Sequence, residues 1–146
     1  MTIETKLAEL GITLPDAPAP AANYVPYVIS GNLLFVSGQI SALKGRVGDQ
    51  VGTAEAAEAA RGCGLSLLAQ AKAALGTLDR VERVVKLGGF VNSTADFTDQ
   101  PEVINGCSDL MVEVFGDKGR HARAAVSAPA LPRGVAVEIE AVFEIE

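Results

Sequence analysis

Arg123 is the residue whose type and setting most suggest chemistry. It leads the stretch Arg123-Ala-Ala-Val-Ser-Ala128, which carries no other charge. On a half-buried strand an arginine is uncommon unless it is paired or holds an anion. A planar guanidinium can grip a carboxylate through two parallel N–H···O bonds, so this position suits a small carboxylic acid. Glu138 and Glu140 follow on the last strand and form with Arg123 the most informative constellation of charges. Two plainer readings stand beside that chemistry. Arg123 could be a structural tie to a strand glutamate, and Glu138, Glu140, Glu144 and Glu146 could be a solvated strand face.

Other catalytic signatures are missing. There is no Walker loop, no Gly-x-Ser-x-Gly elbow and no His-Glu-x-x-His. The single histidine, His121, sits in Gly119-Arg-His-Ala-Arg and reads as a solvated loop residue rather than a triad member. Cys63 and Cys107 lack metal-ligand spacing, and each falls inside a predicted helix, so they read as buried thiols. No metal and no cofactor is expected.

The elements that must position these groups follow from periodicity. Thr2 caps a short predicted helix with Ile3, Leu7 and Leu10 on its apolar side, closed by Gly11. Pro15 to Ala22 holds three prolines among small residues and reads as an extended arm. Two strands span Tyr24 to Ile40 around Gly31-Asn32, both tolerant of positive φ, and Ser41 to Gly52 is a loop. A helix from Thr53 to Gly76 buries Ala60, Cys63, Leu67, Leu68, Ala71, Ala74 and Leu75. Gly62 and Gly64 inside it predict close approach of another backbone.

Val81 to Val91 reads as a strand broken by Gly88-Gly89. A second helix has Asp99 as cap, Pro101 in its first turn and Gly116 at its end. Its apolar stripe is Val103, Cys107, Leu110, Met111, Val114 and Phe115. Arg123 to Ala128 and Val137 onward are the closing strands. The last alternates Val137, Ile139, Ala141, Phe143 and Ile145 against Glu138, Glu140, Val142, Glu144 and Glu146. Two singly striped helices and a sheet with one apolar face predict an α+β domain with both helices on one side. The face bearing Glu138 and Glu140 is left uncovered.

Composition narrows the class. A chain of 146 residues with 49% hydrophobic and 21% charged residues suits one folded domain. Residues 1–22 read as an amino-terminal helix and arm, and 23–146 as the domain. The net charge of −6, with no basic cluster, makes nucleic acid an unlikely partner. No signal peptide or membrane span is visible, and a cytoplasmic location is expected.

In this order and spacing, Gly31-Asn-Leu-Leu-Phe-Val-Ser-Gly-Gln-Ile40, Val85-Lys-Leu-Gly-Gly-Phe-Val91, Asp96-Phe97, Arg123-Ala-Ala-Val and Leu131-Pro-Arg-Gly-Val-Ala-Val-Glu-Ile-Glu-Ala141 resemble the RidA/YjgF family, also labelled L-PSP endoribonucleases. The resemblance runs from Tyr24 to the carboxyl end. It implies a chorismate-mutase-like fold, a homotrimer and a cleft between subunits, where reactive 2-imino and enamino acids are hydrolysed to 2-keto acids and ammonia without metal or cofactor. It casts Arg123 as carboxylate binder and Glu138 as the residue that positions water. It counts Ser37, Tyr24, Asn105 and Ala125 toward substrate binding.

There are departures. Ala125 stands where the family often has cysteine, His121 where it often has proline, and the amino-terminal extension through Ala22 is long, as in a longer-chain subgroup. The competing functions are a non-catalytic trimer that binds a small carboxylate, and the ribonuclease or translation-inhibitor label.

Overall fold

The computed structural model describes residues 1–146. In chain order the elements are α1 (Ile3–Glu9), β1 (Tyr27–Ser30), β2 (Leu33–Ile40), α2 (Thr53–Leu75), β3 (Val81–Asn92), α3 (Gln100–Phe115), β4 (Ala122–Ala128) and β5 (Val137–Ile145). The five strands form one mixed sheet in the order β1-β2-β5-β3-β4. Only β3 and β4 run parallel, joined by α3, and every other pair is antiparallel. Both long helices bury their apolar stripes against the same sheet face. Leu67 and Leu68 of α2, Leu110 and Met111 of α3, and Leu34, Leu87, Ile139 and Phe143 of the sheet share one core.

The expected boundaries mostly hold, because caps and period decide them. The Thr2 hydroxyl accepts from the Thr5 amide at the start of α1, and Gly76 and Gly116 end α2 and α3 at positive φ. Differences have physical reasons. Tyr24 lies in an irregular segment before β1, which starts at Tyr27 after Pro26. At the β1–β2 turn only Gly31 takes positive φ. Leu7 joins the core, whereas Leu10, past the last helical turn, is exposed.

The glycines sort themselves by what lies over them. Gly62 has open space around it, so it marks no close approach. Gly64 lies under Leu110 and Cys107. The tightest helix contact is at Gly106 of α3, where any Cβ would overlap the Ala57 carbonyl of α2. Gly88-Gly89 does not break β3, which is continuous. Gly88 makes room for the Glu140 side chain on one face and Gly89 for Ile104 on the other.

Candidate functional site

The Ser37-Gly38-Gln39 segment is a bulge. Val36 and Gln39 of β2 face Ala141 and Ile139 of β5, so β2 carries one extra residue there. A bulge bends the strand and re-aims its side chains. At this bend the bare Gly38 lies against the Glu138 carboxylate, in space that a Cβ would take. Glu138 thereby reaches a pocket of about 620 Å³ walled by Tyr24, Ser37 and the arm residues Pro18 to Ala22. Burial, and then the neighbouring Glu140 charge, pushes the Glu138 carboxyl above its usual value.

The arm is held in place by specific bonds. Gln70 of α2, only 1% exposed, donates from Nε2 to the Pro18 backbone carbonyl at 2.6 Å and to the side-chain Oε1 of Gln39 at 3.4 Å. The Tyr24 hydroxyl accepts from the Ala21 amide at 3.1 Å, and Ser37 donates to the Val25 carbonyl at 2.8 Å. Tyr24 and Ser37 therefore shape the pocket wall as well as line it.

Arg123 has a different setting. Its register partner on β3 is Leu87, a core residue, so its side chain lies on the helix side of the sheet. Nη1 donates to the Ser108 hydroxyl at 3.0 Å and Nη2 to the Pro101 carbonyl at 3.2 Å. A guanidinium has five N–H donors, so these two bonds leave the rest for an anion. No carboxylate of this chain takes them, since the ion pairs are Arg61–Glu113 and Arg120–Asp117. The structural tie between Arg123 and a strand glutamate is thus absent within the chain.

The expected site residues fall into two groups. Tyr24, Ser37 and Glu138 line one pocket, which Gln70 of α2 also reaches, with Glu138 entering it from the sheet face away from the helices. Arg123 and Ala125 lie on the helix side. Asn105 is exposed on α3, four residues after Pro101 and three before Ser108, hence on the helical face that Arg123 meets. One chain does not bring Arg123 and Glu138 together.

His121 corrects an expectation. It is half-buried rather than solvated, with Nε2 2.9 Å from Ser108 Oγ and Nδ1 2.6 Å from the Gly119 carbonyl. Burial lowers its basicity, the Gly119 carbonyl opposes that, and the Arg123 charge lowers it further. Cys63 and Cys107 are free, buried thiols. Burial chiefly holds Cys63 up at about 12, so it stays protonated and is no nucleophile. No helix is long and apolar enough to cross a membrane.

A family model described as "YjgF/chorismate_mutase-like, putative endoribonuclease" matches residues 4–143. The chain belongs to the YjgF/RidA family. Protein TCP17 of Trypanosoma cruzi is 50% identical to this chain, over 98% of this chain and 94% of its own. The crystal structure of Atu1372 from Agrobacterium tumefaciens superposes with a TM-score of 0.92 at 52% identity, covering 99% of this chain and 92% of that one. RidA from Psychrobacter sp. PAMC 21119 gives 0.62 at 28% identity, over 89% and 94%. The YjgF/RidA match includes both residue groups.

Sequence reasoning missed Gly38, Ser108 and Gln70. Ser-Gly-Gln inside a strand was a signal for a bulge, since glycine in a strand interior often marks one. Nothing in one sequence ties Ser108 or Gln70 to partners that far along the chain.

Proposed function

We propose that this chain hydrolyses small 2-imino and enamino acids in a cleft between copies of itself. The observation that carries this reading is the division of the site. An arginine with donors unspent and no carboxylate partner lies on one side of the sheet, and a half-buried glutamate lies in a pocket on the other. A neighbouring copy would supply what each half lacks. The outer sheet face supports assembly, since it exposes Val28 and Phe35 side by side in register, with Val126 farther along.

The chemistry balances with these groups alone. The substrate R–C(=NH₂⁺)–COO⁻ and water give R–CO–COO⁻ and NH₄⁺. Arg123 holds the carboxylate. Glu138, ionised, takes a proton from water as its oxygen attacks the imine carbon and returns it to nitrogen; as the C–N bond breaks it takes the proton of the new hydroxyl and passes it to the departing ammonia. Burial, and then the Glu140 charge, raises the Glu138 carboxyl, which makes its ionised form a stronger base. The net charge of −6 counts against the ribonuclease label.

The test generates imines in situ from several amino acids with an oxidase and follows their decay. This protein should accelerate that decay, and sedimentation should show a trimer at micromolar concentration. Decay unchanged by the protein would remove the enzymatic reading. A monomer that is still fully active would remove the shared cleft.

A further inference from the structure

With the imidazole neutral, donor and acceptor chemistry sets the direction of every bond around Ser108. The Gly119 carbonyl can only accept, so the imidazole proton is on Nδ1 and the neutral ring presents Nε2 as an acceptor. Arg123 Nη1 can only donate, so Ser108 Oγ accepts there and its own proton is free to point at Nε2. The chain therefore runs one way: guanidinium to Ser108, Ser108 to His121, His121 to the Gly119 carbonyl. Its far end is fixed, because a Cβ at Gly119 would overlap the Met111 carbonyl of α3.

We propose that His121, acting through Ser108, is a positioning residue that sets the direction in which Arg123 presents its free donors to a substrate carboxylate. This rests on the reading of Arg123 as the carboxylate anchor. With the Pro101 carbonyl on Nη2, the Ser108 oxygen on Nη1 fixes the guanidinium plane at two points. A hydroxyl with its proton committed to Nε2 keeps a lone pair on Arg123, whereas an uncommitted one rotates.

The charged groups on the surrounding elements are Glu82, Arg83 and Lys86 of β3, Glu102, Asp109 and Glu113 of α3, and Asp117, Lys118 and Arg120 in the turn before β4. Arg83 donates to the Arg120 carbonyl and Asp117 pairs with Arg120. Of all these neighbours, Arg123 is the one whose charge reaches the imidazole. Burial first, with the Arg123 charge adding to it, lowers the basicity of the ring and so favours its neutral form.

The only histidine of the chain gives nuclear magnetic resonance an unambiguous probe. The expected spectrum at pH 7 is a neutral ring protonated on Nδ1, and Arg123→Ala should move its titration to higher pH. In imine turnover, His121→Phe should raise KM about tenfold and leave kcat within about twofold, because carboxylate gripping acts on substrate and transition state alike. Ser108→Ala should do the same if the Phe variant fails to fold. His121→Gln, which keeps an acceptor for Ser108, should recover most of the KM. A ring titration indifferent to Arg123→Ala, or an unchanged KM in both His121→Phe and Ser108→Ala, overturns the proposal. Absence of any imine turnover by the unmodified protein sinks the enzymatic reading instead, and the ring titration still decides whether His121 and Arg123 are coupled.

Discussion

Arg123→Ala should lower kcat/KM for imine hydrolysis by roughly 10²–10³, the loss expected when charge-assisted hydrogen bonds to a carboxylate disappear. The fold should survive. Arg123 lies on the edge strand β4, is only half-buried, and makes its two bonds to an α3 side chain and to the carbonyl at the start of α3. Arg123→Lys should recover little, since a point charge on a flexible stem cannot satisfy Ser108 and the Pro101 carbonyl while gripping a carboxylate. Circular dichroism controls for folding, and steady-state kinetics reads the effect. Wild-type activity in a folded Arg123→Ala protein would remove the anchor.

Glu138→Gln should lower turnover by about 10²–10⁴, because it keeps the size and hydrogen bonding of the side chain and removes the base. Binding of a 2-keto acid product should hardly change, as Arg123 still holds the carboxylate. Unchanged turnover would sink the assignment of Glu138 as the base and leave the carboxylate-binding site at Arg123 standing. The carboxyl of Glu138 is raised by burial and by Glu140, so its proton loss lies above the usual glutamate value of about 4.3. The rate should fall as pH drops through that raised value.

Stability carries the opposite sign. The folded protein prefers Glu138 protonated, so the ionised form weakens it at neutral pH. The Gln variant should therefore unfold no more easily than wild type at pH 7. That difference should vanish below the ordinary glutamate range. Thermal melts at several pH values check this against the kinetics.

The elements were legible because each obeys a local rule. Alternation marks β5, a three-to-four spacing marks α2 and α3, and glycine at positive φ ends both helices. Arg123 and Glu138 stood out as charges on strands. The illegible part depends on what lies across from a residue. Gly88-Gly89 looked like a break, yet each glycine clears space for a side chain on a different face of an unbroken strand. Gly62 and Gly64 look alike in sequence, and only Gly64 meets α3. His121 looked solvated because its neighbours in sequence are charged, while its partner Ser108 is presented by α3.

β5 is last in chain order and central in the sheet, between β2 and β3. As a ribosome delivers the chain, the β1–β2 hairpin and the β3-α3-β4 unit emerge with no strand between them to pair with. Neither half can complete the sheet until β5 arrives to take hydrogen bonds from both sides. Those contacts span long sequence separations, which slows closure and exposes unpaired edges meanwhile. The carboxylate of Glu138 rides on that same strand. The nascent protein therefore acquires its sheet and its candidate base in a single late event.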